Sequence, residues 1–211
     1  MKNRCAWVKP SNTLYVTYHD TEWAVPVHDD QKLFEFIVLE GAQAGLTWET
    51  ILNRRENYRK AFKNFDPVKV AKFTVSDVEK LMQNSGIIRN RLKIQSTITN
   101  AQNFLKIQKE FNKFSDYMWS FVHGKPIQNK WKESNQIPVA DAIAQALSKD
   151  MKKRGFKFFG PTICYAHMQA VGMVNDHVTH CFRYKEVQQK HFYSYNIMKS
   201  DKYLISNRLI S

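Results

Sequence analysis

Apolar residues recur at intervals of three and four along most of this chain, and sustained alternation of apolar and polar residues is scarce. The first spacing places apolar side chains on one face of a helix, whereas a half-buried strand needs alternation. The pattern therefore predicts an all-α fold. With 211 residues, 43% of them hydrophobic, the chain is long enough for one well-buried core and is most simply interpreted as one domain.

Several helix boundaries can be predicted from capping residues. Asp30 is predicted to cap a helix that runs through Val38, and Thr47 to cap the next one, which stops before Asp66-Pro67. Ser76 and Glu79 have capping-box spacing and are predicted to open another helix. Further helices are predicted over residues of about 89–109, 114–123, 138–153 and 161–171.

Two possible metal-ligand pairs lie at opposite ends of the chain. Cys5 and His19 are near the start, and His177 and Cys181 form an H-x3-C pair that would lie on one face of a helix. If the four residues converge, one tetrahedral Zn²⁺ would join the two ends of the fold. The alternative is that they are buried thiols and ordinary hydrogen-bonded imidazoles, the commoner role of such residues.

The cysteine content favours a reducing compartment. The third cysteine, Cys164, lies in an apolar stretch, and three cysteines do not form an even disulfide framework. The charged residues at the start are followed by no apolar signal region, and no run approaches the roughly 20 apolar residues that cross a bilayer. We therefore expect a soluble cytoplasmic protein, without a membrane partner and acting as a monomer.

The chain is strongly basic, with a formal net charge of +13 and a pI of about 9.6. Polyanions such as nucleic acids are natural partners for such a surface, although the excess charge could instead serve solubility alone. Local clustering favours a polyanion. The clusters are Arg54, Arg55, Arg59, Lys60 and Lys63, and Lys152, Lys153, Arg154 and Lys157.

Residues 81–93 are predicted to form two helices joined by a tight turn that contains Gly86. This segment is similar to a helix-hairpin-helix, in which backbone N–H groups of the turn bind a phosphate without reading bases. Arg89, Arg91 and Lys93 add positive charge nearby. The alternative is an ordinary helical hairpin with a solvated basic face.

The most unusual chemistry lies between Tyr15 and Trp48, where a single carboxylate, Glu40, sits in a stretch nearly devoid of charge. Aromatic faces are supplied nearby by Tyr15, Tyr18, Trp23 and Trp48. A pocket of this kind suits a flat cationic heterocycle, which gains stacking, cation–π and hydrogen-bond energy together. The alternative is that Glu40 ends a helix at the surface and the aromatic residues belong to the core.

Long motifs of this sequence closely resemble those of the constitutive 3-methyladenine DNA glycosylase I family. The resemblance covers residues 4 to about 183 and is carried by residues 18–26, 39–48, 55–58, 86–89, 153–158 and 172–177. It implies a helix-hairpin-helix glycosylase domain over residues 1–184 and one structural zinc ion held by Cys5, His19, His177 and Cys181.

The resemblance also implies a function, which is base excision of 3-methyladenine from double-stranded alkylated DNA by cleavage of the N-glycosidic bond. Glu40 would accept hydrogen bonds from the flipped base and add electrostatic help to catalysis, and Tyr18 and Trp48 would stack on the base. Tyr15 and Trp23 would line the pocket. Independently of the resemblance, Leu46, beside Gly45, is predicted to fill the gap left in the duplex. Gly86, Arg89, Arg91 and Lys93 would contact DNA, and free 3-methyladenine would be the product. No Asp receives a catalytic role.

Two features depart from the family pattern. Ala24 follows Trp23 where the family usually has Gly, which matters if that position requires a positive φ. Residues 185–211 extend beyond the family domain as a basic, aromatic-containing tail.

Two rival classes remain open at the level of sequence. One is a zinc-stapled DNA-binding protein without glycosylase activity, which would not require the Tyr18, Glu40 and Trp48 pocket. The other is a zinc hydrolase, which is disfavoured because four protein ligands leave no open coordination position for water.

Overall fold

The structure, a computed structural model, describes residues 2–189 and is built almost entirely of helices. The α-helices are α1 Thr13–Thr21, α2 Asp30–Gln43, α3 Trp48–Leu52, α4 Arg55–Ala61, α5 Pro67–Val70, α6 Val75–Gln83, α7 Arg91–Phe111, α8 Phe114–Ser120, α9 Ala142–Lys153 and α10 Pro161–Ala170. Residues 182–189 are also helical. Short 3₁₀ helices span Lys63–Phe65 and Ser134–Gln136, and β1 Ile127–Gln128 pairs in parallel with β2 Val174–Asn175. The prediction of an all-α fold is confirmed at this level.

Helix α2 is the centre of the core, because most of its circumference is buried between Leu33 and Ala42. It packs against α3, α7, α8 and α10. Phe34, for example, meets Phe104 of α7 edge to face, with 5.3 Å between ring centroids. Glu40 therefore lies near the C-terminal end of a helix that the core holds on several sides.

The sequence predicted Asp30 as the cap of α2, and this prediction is wrong. Asp29 is the cap, and its carboxylate accepts a hydrogen bond from the Lys32 backbone N–H at 2.8 Å. The Asp30 carboxylate instead accepts hydrogen bonds from the backbone N–H groups of Phe114 and Ser115, both at 2.8 Å. It thus caps α8, whose own N-cap residue provides no side-chain cap.

The prediction of a Thr47 cap is confirmed, since its hydroxyl accepts from the Thr50 N–H. The helix that follows is interrupted, however, and α3 and α4 are separate elements. The predicted capping box of Ser76 and Glu79 was wrong by two residues. Thr74 and Asp77 form it, with Asp77 accepting from the Thr74 N–H at 2.8 Å and Thr74 accepting from the Asp77 N–H at 3.3 Å.

Some of the arginines in the basic clusters of the sequence form ion pairs with carboxylates of the same chain. Arg55 is buried and bridges Glu22 and Glu35 through hydrogen bonds of 2.8 Å. Arg154 similarly pairs with Glu110 and Asp150. Fewer cations therefore remain for a polyanion than the local count of Lys and Arg indicates.

No helix within residues 2–189 is long and apolar enough to cross a membrane. The predicted tail begins at residue 185, but residues 190–211 lie outside the described part of the chain. The interpretation of its aromatic and basic residues stays a prediction.

Candidate active site

Cys5, His19, His177 and Cys181 converge into one buried cluster, and their possible ligand atoms all lie within 4.8 Å of one another. The Cys5 Sγ to His177 Nδ1 distance is 3.5 Å, the Cys181 Sγ to His19 Nε2 distance is 3.5 Å, and the Cys181 Sγ to His177 Nδ1 distance is 3.6 Å. A tetrahedral zinc with ordinary bond lengths separates sulfur from nitrogen by about 3.6 Å. The cluster therefore has the dimensions of a four-ligand metal site.

The second nitrogen of each histidine has a partner that fixes the ring for metal binding. His19 Nδ1 donates to Asp20 at 2.7 Å, and Arg4 holds that carboxylate with bonds of 2.7 to 3.1 Å. His177 Nε2 donates to the Trp23 carbonyl at 3.3 Å. These bonds leave His19 Nε2 and His177 Nδ1 as acceptors directed at the cysteines, the arrangement expected around a bound metal.

The electrostatics of the cluster also suit a cation. Contact with Cys5 lowers the pKa of Cys181, and the contacts with His177 and His19 lower it further. The same contact, together with burial, raises the pKa of Cys5. Cys181 is thus the sulfur that is more readily a thiolate, the form that binds metals.

A cavity of about 430 Å³ opens beside this cluster. It is lined by Trp7, Tyr15, Tyr18, Trp23, Glu40, Gln43, Trp48, Ser134, Ile137, Pro138, Val139, Thr162, Tyr165, Ala166, Gln169 and Ala170. Glu40 is the only carboxylate among these lining residues, and the same set contains no Lys or Arg. The structure thus brings all five predicted pocket residues together, in a cavity that combines aromatic walls with a single acid.

Glu40 is buried, with 3% of its side chain exposed, and is paired with a histidine that the sequence interpretation missed. His167 Nδ1 lies 2.7 Å from Glu40 Oε2. Burial raises the pKa of Glu40, and the hydrogen-bonded contact with His167 opposes that rise. The alternative of a surface Glu40 at the end of a helix is wrong.

Tyr18 and Trp48 are neighbours on the cavity wall, with 5.3 Å between ring centroids and an interplanar angle of 51°. Phe36 also stacks on Trp48, with 6.5 Å between ring centroids. The indole N–H of Trp48 is buried and has no hydrogen-bond partner among residues 2–189. A buried donor without a partner is costly, which makes this N–H a candidate contact for a bound ligand.

Trp7 lies between the cavity and the group of Cys5, His19, His177 and Cys181, which we call the metal cluster. The sequence interpretation did not single Trp7 out. Its ring lies 5.2 Å from that of His19, 5.0 Å from that of Trp23 and 5.2 Å from that of Tyr15. One wall of the cavity is therefore packed directly on a residue of the metal cluster. A lone Trp near the start of the chain carries no spacing signal that would have indicated this role.

Trp23 reaches the cavity through a strained turn. Ala24 follows it with φ of +62° and no exposed surface, so the position does require the left-handed conformation that favours Gly. The turn is held by a hydrogen bond from the Ala24 N–H to the Gln169 carbonyl at 2.9 Å. Ala24 is thus fully buried in a backbone conformation that normally favours Gly.

The predicted helical hairpin is present as α6, a turn and α7. Within the turn, the Gly86 N–H donates to the Asn84 side chain at 2.9 Å and the Ile88 N–H to the Tyr58 hydroxyl at 3.1 Å. These two groups are therefore already engaged inside the protein, which reduces the number of backbone donors available for a phosphate.

The three basic residues of the hairpin differ in their surroundings. Arg89 is exposed, and Arg91 is exposed but paired with Glu79 at 2.5 and 2.8 Å. Lys93 Nζ donates to the carbonyls of Ala42 and Ala44, at 2.8 and 2.6 Å, at the C-terminal end of α2. The sequence predicted all three as DNA contacts, but it could not indicate that Lys93 has carbonyl partners within the fold.

Leu46 is exposed on the loop between α2 and α3, next to Gly45. Gln43 and Trp48, on either side of it in sequence, line the cavity. Leu46 is therefore an exposed apolar side chain at the rim of the cavity.

Comparisons with known proteins agree with this geometry. The profile of the methyladenine glycosylase family matches residues 7–184. DNA-3-methyladenine glycosylase 1 of Escherichia coli (strain K12) is 52% identical over 181 residues, which cover 86% of this chain and 96% of that protein. The DNA-3-methyladenine glycosylase of Haemophilus influenzae (strain ATCC 51907 / DSM 11121 / KW20 / Rd) is 50% identical, with coverages of 86% and 97%.

The fold is shared with solved structures as well. One of them describes 3-methyladenine recognition by 3-methyladenine DNA glycosylase I from Staphylococcus aureus. It is 37% identical, superposes with a TM-score of 0.83, and the match covers 86% of this chain and 96% of that one. On the sequence profile, the relatives and the fold together, the chain belongs to the methyladenine glycosylase family.

Proposed function

We propose that the protein removes 3-methyladenine from double-stranded alkylated DNA by hydrolysing the N-glycosidic bond. The observation that supports this most strongly is the cavity in which Glu40 is the only charged side chain among the described lining residues, set between aromatic faces. A nucleotide methylated at N3 of adenine carries a positive charge on a flat ring system, so it matches both properties.

The chemistry of the lesion allows recognition to supply much of the selectivity. The positive charge weakens the glycosidic bond, and the base departs as a neutral molecule, so little acid catalysis is needed. The nucleotide must leave the base stack to enter the cavity, which costs a few kcal/mol and less for a damaged base. The protein then has to bind the extruded base and exclude undamaged ones.

Each wall of the cavity has a part in this proposal. Glu40 accepts hydrogen bonds from the base and balances its charge, while Tyr18 and Trp48 provide aromatic faces. The unpartnered indole N–H of Trp48 is available as a donor. Tyr15 and Trp23 complete the wall next to the metal cluster.

The DNA-facing residues follow from their position around this cavity. We propose that Leu46 enters the space left by the extruded base and that the hairpin at Gly86 approaches the phosphate backbone. Arg89 contributes an exposed charge there, and Arg91 does so if it exchanges Glu79 for a phosphate. Lys93 acts through the loop whose carbonyls it binds.

We propose that Cys5, His19, His177 and Cys181 hold one structural Zn²⁺. Two thiolates and two imidazoles form a donor set that suits zinc, and four protein ligands leave no position for a catalytic water. Metal analysis of the purified protein should give one zinc per chain. Cys181→Ser should lose the metal, whereas Cys164→Ser, which changes a buried cysteine outside the cluster, should retain it. Full zinc occupancy in Cys181→Ser would contradict the assignment.

We also propose the bounds of the catalytic domain, its oligomeric state and its compartment. Residues 1–184 would form the catalytic domain, which contains every lining residue of the cavity, and the protein would act as a monomer. Reduced cysteine ligands and a DNA substrate favour the cytoplasm.

Release of free bases tests the proposed activity. DNA treated with a methylating agent should yield free 3-methyladenine when incubated with the protein, and untreated DNA should yield none. The released bases are identified by chromatography and mass spectrometry. Binding of methylated DNA without release of any base would instead favour a zinc-containing DNA-binding protein that lacks glycosylase activity.

A further inference from the structure

We propose that His167 is a positioning residue for base recognition, which fixes one oxygen of the Glu40 carboxylate and keeps that carboxylate ionised for the damaged base. This inference rests on the proposed function, since it concerns how the same cavity holds its ligand. Without His167, we expect base recognition to persist at alkaline pH but to fail at a higher pH than in the wild type as the solution is acidified.

The geometry places His167 directly behind Glu40. Both side chains are buried, His167 completely, and Nδ1 of the imidazole lies 2.7 Å from Oε2 of the carboxylate. Glu40 lines the cavity, whereas His167 is not among its lining residues. Oε2 is therefore engaged on the protein side, and Oε1 is the oxygen left for a base.

The imidazole ring is fixed by its surroundings. His167 belongs to α10, which packs against α2, the helix of Glu40. The Phe159 ring meets it nearly edge to face, with 5.3 Å between centroids and an interplanar angle of 70°. An imidazole held in this way keeps its donor directed at Glu40 without having to be ordered by the ligand.

The second nitrogen of His167 identifies the tautomer. Nε2 is buried and has no hydrogen-bond partner within the described part of the chain. A protonated Nε2 would bury a donor without an acceptor, which costs more than burying an unpaired imidazole acceptor. The favoured form is a neutral ring with its proton on Nδ1, which donates to Glu40.

The other ionisable groups near Glu40 are neutral and do not replace this donor. Tyr18 of α1 and Cys164 of α10 are the described groups, besides His167, that interact with its charge. Burial raises the pKa of both Tyr18 and Cys164, so they carry no charge at neutral pH. His167 is thus the group that offsets the effect of burial on Glu40.

A pH series of excision and of 3-methyladenine binding tests the proposal. In His167→Phe, the acidic limit should move upward by about 1 to 2 pH units, because a charge-assisted hydrogen bond to the carboxylate is lost. Activity at alkaline pH, where Glu40 ionises in either protein, should stay within about threefold of the wild type. In His167→Asn, the side-chain amide can occupy the place of Nδ1–H, so the limit should return to within about half a pH unit of the wild type.

His28→Phe is the matched control, since this partly buried histidine stacks on Trp119, and neither residue lines the cavity. Its pH profile should equal that of the wild type. Superimposable profiles of His167→Phe and an active wild type would overturn the proposal. If the wild type itself released no base at any pH, the proposed function would fail instead.

A measurement on the unaltered protein covers the case in which a variant does not fold. The ¹⁵N NMR signals of His167 should show a protonated Nδ1 and an unprotonated Nε2 over the pH range in which base binds. The opposite tautomer, with Nδ1 unprotonated, could not donate to Glu40 and would refute the proposal.

Discussion

At the level of single residues, Lys93 shows that a basic side chain can bind groups of its own chain where the sequence predicts a DNA contact. Its ammonium group binds the carbonyls of Ala42 and Ala44, where the negative end of the α2 dipole favours a cation. These residues lead into the loop of Leu46. We therefore expect Lys93, which the sequence predicted as a DNA contact, to hold the loop of the proposed wedge instead.

The two roles can be separated by exchanging Lys93 and Arg89 for methionine in turn. Arg89→Met should reduce the slope of log affinity against log salt by about 1, because one exposed phosphate contact is lost. Lys93→Met should leave that slope unchanged but lower excision several-fold, because the Leu46 loop loses its anchor. The measurements are a salt titration of duplex binding and single-turnover excision. An equal loss of slope in both variants would contradict this role of Lys93.

Glu40 and His167 show which site residues can be predicted from the sequence and which cannot. Glu40 could be singled out because its neighbours in sequence are nearly devoid of charge. His167 could not, because its relation to Glu40 spans 127 residues and arises only when α10 packs on α2. Residue type and local spacing indicate candidates, whereas the partner of each candidate is a property of the tertiary structure.

At the scale of elements, the contact between Gly172 and the segment after Trp23 positions one wall of the cavity. Gly172 has φ of +73°, and a Cβ there would lie 2.4 Å from the Val25 carbonyl carbon and 2.5 Å from the Pro26 nitrogen. Real Cβ atoms do not approach backbone this closely. Only Gly allows the segment that follows Trp23 to cross the end of α10 at this distance.

Gly172→Ala should therefore lower the free energy of unfolding by about 2 to 4 kcal/mol, from backbone strain plus overlap with Val25. Gly124→Ala is a matched control, because Gly124 also has a positive φ, +69°, but a Cβ there would meet nothing within 4 Å. It should cost only about 1 kcal/mol. Urea unfolding measures both. Similar losses in the two variants would show that overlap at Gly172 is not the cause.

The sequence predicted which segments are helical better than it predicted how they begin. Thr47 caps the helix expected of it, but Asp30 caps α8 rather than its own helix, across 84 residues. Helix α1 was not among the predicted helices, although it carries Tyr15, Tyr18 and His19. Its weak apolar pattern explains this, because its buried side chains serve the cavity and the metal cluster rather than a continuous core face.

At the scale of the whole molecule, the metal cluster joins residues that are up to 176 positions apart, from Cys5 to Cys181. The strand pair β1 and β2 and the hydrogen bond from Phe182 N–H to the Asn3 carbonyl, 2.9 Å, add local support. The metal is expected to contribute most, since structural zinc sites have apparent binding free energies on the order of 10 kcal/mol. The sequence indicated the two ligand pairs, but only the fold brings them together.

Removing the metal should loosen the cavity wall before it unfolds the core. After chelation, we expect a lower melting temperature and faster hydrogen exchange of residues 5–23 and 174–181, while α2 and α7 stay protected. Affinity for 3-methyladenine should fall, because Tyr15 and Trp23 are held next to the cluster. Restoring zinc should reverse all three changes. Unchanged exchange in these two segments after verified metal loss would contradict a structural role.

Glu40 in the aromatic cavity is proposed to bind the damaged base, and calorimetric titration with free 3-methyladenine measures this binding. The wild type and Glu56→Gln, which alters an exposed glutamate, should bind one molecule with equal affinity. Glu40→Gln, if folded, should bind about 10- to 100-fold more weakly, because a charge-assisted hydrogen bond is lost. Equal affinity of Glu40→Gln and the wild type would remove Glu40 from the site.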